Sequence, residues 1–130
     1  MIHLNSFSKS EHLCGDKRIT RLYKEGDAFI AYPLRVVYLI EPRSDAVNSS
    51  VLVSVPKKRF KRAVKRNRLK RIMRETYRIN KQALIEKLEE KQLQMHVAFN
   101  YVSDDEMNYA DIEKKMRLSL QKLMDKIDSV

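Results

Sequence analysis

Between Lys57 and Lys81 the chain carries thirteen Lys and Arg residues against one acid, Glu75. Blocks of like charge are often disordered tails, but this one has an internal period. At about 100° per residue, Leu69, Ile72, Met73, Thr76 and Ile79 fall within one arc roughly 120° wide. Arg66, Asn67, Arg68, Lys70, Arg71, Arg74 and Arg78 occupy most of the remaining circumference. Most of these residues favour helix, and neither Gly nor Pro intervenes after Pro56. The pattern predicts an amphipathic helix docked on a core, its outer face a stripe of Arg and Lys. An ordinary solvated face mixes both signs through i,i+4 pairs. Nearly unbroken like charge costs stability by self-repulsion, so the stripe reads as a binder of phosphates.

The rest of the chain is electrostatically ordinary: 14 basic residues remain there against 16 acids, so the segment accounts for the whole net charge of +10. With a pI near 9.8, the partner expected is a polyanion, nucleic acid before an anionic membrane surface. A length of 130 residues and 43% hydrophobic content suit one domain with a modest core. The expectation is a single nucleic-acid-binding domain over 1–130, with 1–15 a mobile N-terminal segment. The longest apolar run, Val36 to Ile40, is far short of the ~20 residues that span a bilayer, and the first residues do not read as a signal peptide. Cys14 is the lone cysteine, which suits a reducing cytoplasm. Two glycines, Gly15 and Gly26, cannot build a phosphate-cradling loop of the Walker or dinucleotide type.

Ile19, Leu22 and Tyr23 repeat at i, i+3, i+4 between Asp16, a possible N-cap, and Gly26, a helix stop, and predict a first helix. From Ala28 to Ile40 the β-branched and aromatic content predicts two short strands or one bent at Pro33. Glu41 to Ser50 reads as a loop and Ser50 to Val55 as a third strand, ended by Pro56. After the basic helix, Leu84, Ile85 and Leu88 continue a helical pattern to about Gln92. Met95 to Val102 reads as the last strand. A final helix runs from about Asn108 to Ile127, with Asn108 as its cap. The element order is α-β-β-β-α-β-α.

A catalytic centre is not evident. His3, His12 and His96 do not stand at metal-ligand spacing with Cys14 or with one another. Asp104-Asp105-Glu106 could hold a metal as a nuclease would, but Ser103-x-x-Glu106 has the form of a capping box. The aromatics Tyr23, Phe29, Tyr32, Tyr38, Phe60 and Tyr77 flank or enter the basic region, a mixture that suits single-stranded nucleic acid as well as core packing. An autonomous metal nuclease, a DNA-binding module and a ribosomal-type RNA-binding protein remain as alternatives. A basic zipper does not, because no apolar heptads follow the helix.

The run VSVPKKRFKRAVKRNRLKRIMRETYRINK, with Arg66-Asn67-Arg68 before Leu69, Lys70-Arg71 and Arg74-Glu75, resembles the protein component family of bacterial ribonuclease P. Lys57-Lys58 at a strand end, the helix end Tyr23-Lys24-Glu25-Gly26 and the Pro33-Leu34 strand entry agree with it, so the resemblance covers about Lys17 to Met124. It implies that the single domain is RNA-binding, an α/β sandwich with a left-handed βαβ crossover through the basic helix. It implies a subunit of an endoribonuclease whose large RNA cleaves precursor tRNA with Mg²⁺, held mainly by that RNA and the substrate. Arg66, Asn67, Arg68, Lys70, Arg71 and Arg74 would then contact the RNA subunit. Ile19, Tyr23, Lys57 and Lys58 would lie along the 5′ leader. Two departures stand out: Ile19 replaces an aromatic ring common in other members, and Arg59-Phe60-Lys61-Arg62 forms a longer connection lacking their glycine.

Overall fold

The computed structural model describes residues 16–44 and 49–130. The segment 1–15, expected to be mobile, lies outside the described residues, as do His3, His12 and Cys14. The elements follow in the order α1 (Asp16–Glu25), β1 (Asp27–Ala31), β2 (Leu34–Pro42), β3 (Ser49–Ser54), α2 (Ala63–Asn80), α3 (Gln82–Glu90), β4 (Leu93–Tyr101) and α4 (Tyr109–Asp128). The helical pattern beyond the basic segment is thus a separate element, α3.

The strands form one sheet in the order β1-β2-β4-β3. β1 and β2 make an antiparallel hairpin at Pro33, preceded by a cis Tyr32–Pro33 bond. β4 enters between β2, antiparallel, and β3, parallel. Parallel neighbours need a crossover, and here α2 and α3 together supply it.

Strand alternation assigns the two sheet faces. Leu34, Val36, Tyr38, Val51, Val53, Met95, Val97, Phe99 and Tyr101 share the main core with the apolar sides of α2, α3 and α4. On the reverse face, Val37 and Ala98 are covered by Leu22 of α1, with Ile19, Leu39 and Leu52 packed around them. Gly26 ends α1 by donating to the Leu22 carbonyl at 2.9 Å. A Cβ there would meet that oxygen at 2.5 Å and the Tyr38 carbonyl oxygen at 2.6 Å, so only glycine admits so close an approach.

Two local expectations change. Ile79, placed on the buried arc of the basic helix, is 37% exposed, and Tyr77 is fully buried in its stead against Phe99. The stripe facing the core is rotated by part of a residue, because a full ring reaches the core where a shorter edge residue does not. Ser103-x-x-Glu106 does not cap α4: Ser103 Oγ accepts from the Asp105 amide at 3.0 Å inside the preceding turn. Asn108 is the cap, its Oδ1 accepting from the Asp111 amide at 2.9 Å. Of the two readings open for Phe60 the structure takes core packing: the ring is buried edge-on to Tyr101 with centroids 5.8 Å apart and is not offered to a ligand.

Candidate nucleic-acid interface

Helix α2 holds its position through Leu69, Ile72, Met73, Thr76 and Tyr77, all buried. Burying that side obliges the opposite side to face water. Asn67, Arg71 and Arg74 are exposed there, with Lys70 at the margin. Among the described residues none of these four is engaged by a hydrogen bond or ion pair within the chain. The flanking cations differ. Nη1 of Arg66 donates to the carbonyls of Phe60 and Lys61, each at 2.8 Å. Arg68 lies 3.9 Å from Glu106, and Arg78 is held by Glu75 at 2.6 Å. The six residues expected at the RNA subunit therefore divide into four open to solvent and two, Arg66 and Arg68, with partners inside the molecule.

The residues expected at the leader cluster around the reverse sheet face. Ile19 is half-buried against the cluster of Leu22, Val37 and Ala98, a packing residue of α1. Tyr23, one turn on, is 42% exposed and donates its hydroxyl hydrogen bond to Asn100 Oδ1 at 2.9 Å. Sheet register puts Ile30, Arg35, Asn100 and Ser54 side by side across all four strands on this face. This row lies beyond the cover of α1's apolar side, and Ile30 is 59% exposed. Lys57 and Lys58, both exposed, follow β3 at the same end. Arg35 and Asn100 escaped the sequence reading; their signal was parity, since each alternates with the buried positions of its strand.

At the opposite end of this face, Glu41 is gripped by Arg21, and Gln94 Nε2 donates to it at 2.7 Å. The Arg21 guanidinium, above all, holds the Glu41 carboxyl down to about 2. His96 Nε2 lies 3.2 Å from the same carboxylate, yet burial pushes the imidazole below its ordinary value. These groups form a structural network that seats α1 on the sheet.

The acids once weighed as a nuclease centre are dispersed. Asp104 is paired with Arg59 at 3.0 Å and Glu106 faces Arg68. Among the described residues no group of three or more His, Cys, Asp or Glu could hold a metal ion. No helix among the described residues is long and apolar enough to cross a membrane.

A cationic helix face on an α/β sandwich, with an open sheet face beside it, defines a nucleic-acid-binding subunit. Comparison with known proteins gives that class a family. The family model for ribonuclease P matches residues 7–126. A ribonuclease P protein component of Porphyromonas gingivalis is 47% identical over 122 residues, covering 94% of this chain and 89% of that one. One from Clostridioides difficile is 32% identical over 111 residues, covering 85% and 90%. Two solved structures of the Staphylococcus aureus ribonuclease P protein share the fold. One, a mutant with defective mRNA degradation activity, gives a TM-score of 0.66 at 19% identity over 88% of each chain. The other gives 0.62 at 20% identity, covering 89% of this chain and 99% of that one. The chain belongs to the ribonuclease P protein family, the protein subunit of an endoribonuclease that works with an RNA subunit. The alternatives of a lone nuclease, a DNA-binding module or a ribosomal-type protein fall away with that membership.

Proposed function

We propose that the open stripe of α2 binds the RNA subunit and that the bare end of the reverse sheet face receives the 5′ leader of precursor tRNA. Asn67, Lys70, Arg71 and Arg74 make the direct phosphate contacts, and Arg68 joins them by exchanging Glu106 for a phosphate. Tyr23 offers a ring to a leader base, while Lys57 and Lys58 hold the leader backbone, with Ile19 supporting the ring from beneath. Mg²⁺ is held by the RNA and the substrate, and the complex acts in the cytoplasm, where precursor tRNA is processed.

The observation that carries this reading is the set of unpaired groups on α2. Like charges left without partners repel one another in the free protein, and that cost disappears when a phosphate backbone lies along them. Precursor tRNA bearing a leader tests it, with cleavage followed at low Mg²⁺ for protein alone, RNA subunit alone and both. Cleavage only in the combined reaction is the expected result. Cleavage by the protein alone, persisting after contaminating RNA is removed, would overturn it.

A further inference from the structure

We propose that Arg66 is a positioning residue, which locks the 56–62 connection onto α2 and so ties the leader-side lysines to the RNA-side stripe. The inference rests on the assignment of Lys57 and Lys58 to the leader.

Helix α2 begins badly by ordinary criteria. Its N-cap is Arg62, with no side-chain cap bond, and its first turn contains no acid. The amino end of a helix carries roughly half a positive charge, and Arg62, Lys65 and Arg66 add cations to it. Nothing in the helix itself holds the incoming chain. Arg66 does so from within the first turns, one terminal nitrogen donating to two successive carbonyls, Phe60 and Lys61, at 2.8 Å each. Such charge-assisted bonds are about twice as strong as neutral ones. They also commit that nitrogen to the protein's own backbone.

The connection has two other anchors, and both point elsewhere. Phe60 packs on Tyr101, and Arg59 pairs with Asp104 beyond β4. A tight turn brings the amides of Arg59 and Phe60 to the Pro56 carbonyl at 3.2 and 3.3 Å. These contacts fix the connection to the sheet and the β4–α4 loop. Arg66 is what links it to the cationic helix. Lys57 and Lys58, at the head of the turn, are therefore held more closely in place relative to Asn67, Lys70, Arg71 and Arg74 while Arg66 holds.

A clamp and a phosphate contact differ in what they release. Removing a phosphate contact lowers the slope of log affinity against log salt by nearly one unit. Removing a clamp leaves the slope alone and loosens the turn. The holoenzyme is assembled with R66M, which keeps the side-chain stem, and with R66A; R71A serves as the control that loses a phosphate contact. Expected for R66M are an unchanged salt slope for RNA-subunit binding and hydrogen exchange at the Arg59 and Phe60 amides faster by roughly ten-fold. Its preference for leader-bearing over leaderless precursor should fall roughly three- to ten-fold, the effect of one lost hydrogen bond or two. A slope reduced by about one unit with exchange unaltered would overturn the proposal and make Arg66 a phosphate contact. If K57A/K58A leaves the leader preference intact, the leader assignment fails, while the exchange result still decides the clamp.

Discussion

Tyr23 and Asn100, 77 residues apart in the chain, meet through a 2.9 Å hydrogen bond across the reverse face of the sheet. The Asn100 amide donates in turn to the Arg35 carbonyl at 3.3 Å. An exposed ring on a short helix would otherwise sample several rotamers, and each would have to be given up on binding a base. The tether makes that selection in advance.

Removing the tether while keeping the ring isolates this effect. Tyr23→Phe and Asn100→Ala should each weaken leader-bearing precursor by roughly three- to ten-fold relative to leaderless precursor. Tyr23→Ala should cost more, because base–aromatic stacking contributes about 1–3 kcal/mol. Equilibrium binding of the two substrates to the assembled holoenzyme reads the difference. Equal losses for both substrates would separate Tyr23 from the leader.

Arg71 and Arg74 stand on the solvent side of α2 and touch nothing that the fold needs. Changing either to Ala should lower the salt slope of RNA-subunit binding by about one unit. The urea midpoint should remain within about 0.5 kcal/mol of the parent. A fall in midpoint without a change in slope would mark them as structural.

Acid should destabilise the fold in two stages. Both groups concerned have folded values below their unfolded ones, so the stability they contribute is complete above the unfolded value and lost as pH falls. His96, depressed by burial, begins to cost stability below about 6.5. Glu41, held at about 2 mainly by Arg21, gives up its contribution between about pH 4.5 and 2. Since Arg21 is half exposed, about 1–2 kcal/mol is a reasonable size for the second stage. Glu41→Gln should flatten the stability profile in that lower window and enlarge the His96 stage, since the carboxylate that favours the charged imidazole is gone, measured by urea unfolding across pH.

Gly26→Ala would drive a methyl group into two backbone carbonyls that cannot swing aside. A loss of about 1–3 kcal/mol is expected from overpacking of this kind. Because the clash displaces α1, leader affinity should suffer more than RNA-subunit affinity. Substrate titrations beside the unfolding curve would show whether the two losses separate.

The regular elements were readable because each carries its own period and its own punctuation. Asn108 opens α4 and Gly26 closes α1 where turn and cap chemistry place them. The cationic side of α2 followed from the apolar side of the same helix. What escaped was decided by distant residues. Tyr77 displaced Ile79 because Phe99, on β4, waits for a ring. Ser103 turned inward to its own loop because Asn108 took the cap. Among the six residues expected at the RNA subunit, Arg66 and Arg68 have partners outside their own helix. Local periodicity ranks Arg66 with Arg71, and only the carbonyls of Phe60 and Lys61 tell them apart.

The last strand in the chain is an inner strand of the sheet. β2 and β3 have no ladder to share until β4 comes between them, so on the ribosome the sheet waits for residues 93–101. By then the whole of α2 has been synthesised and carries its charge into surroundings crowded with RNA. Non-local pairing of this kind is slow to form and leaves apolar strand faces open meanwhile. During that interval mutual repulsion along the basic helix works against self-association of the growing chain. The charge that suits α2 to a polyanion thus also works against aggregation before the sheet closes.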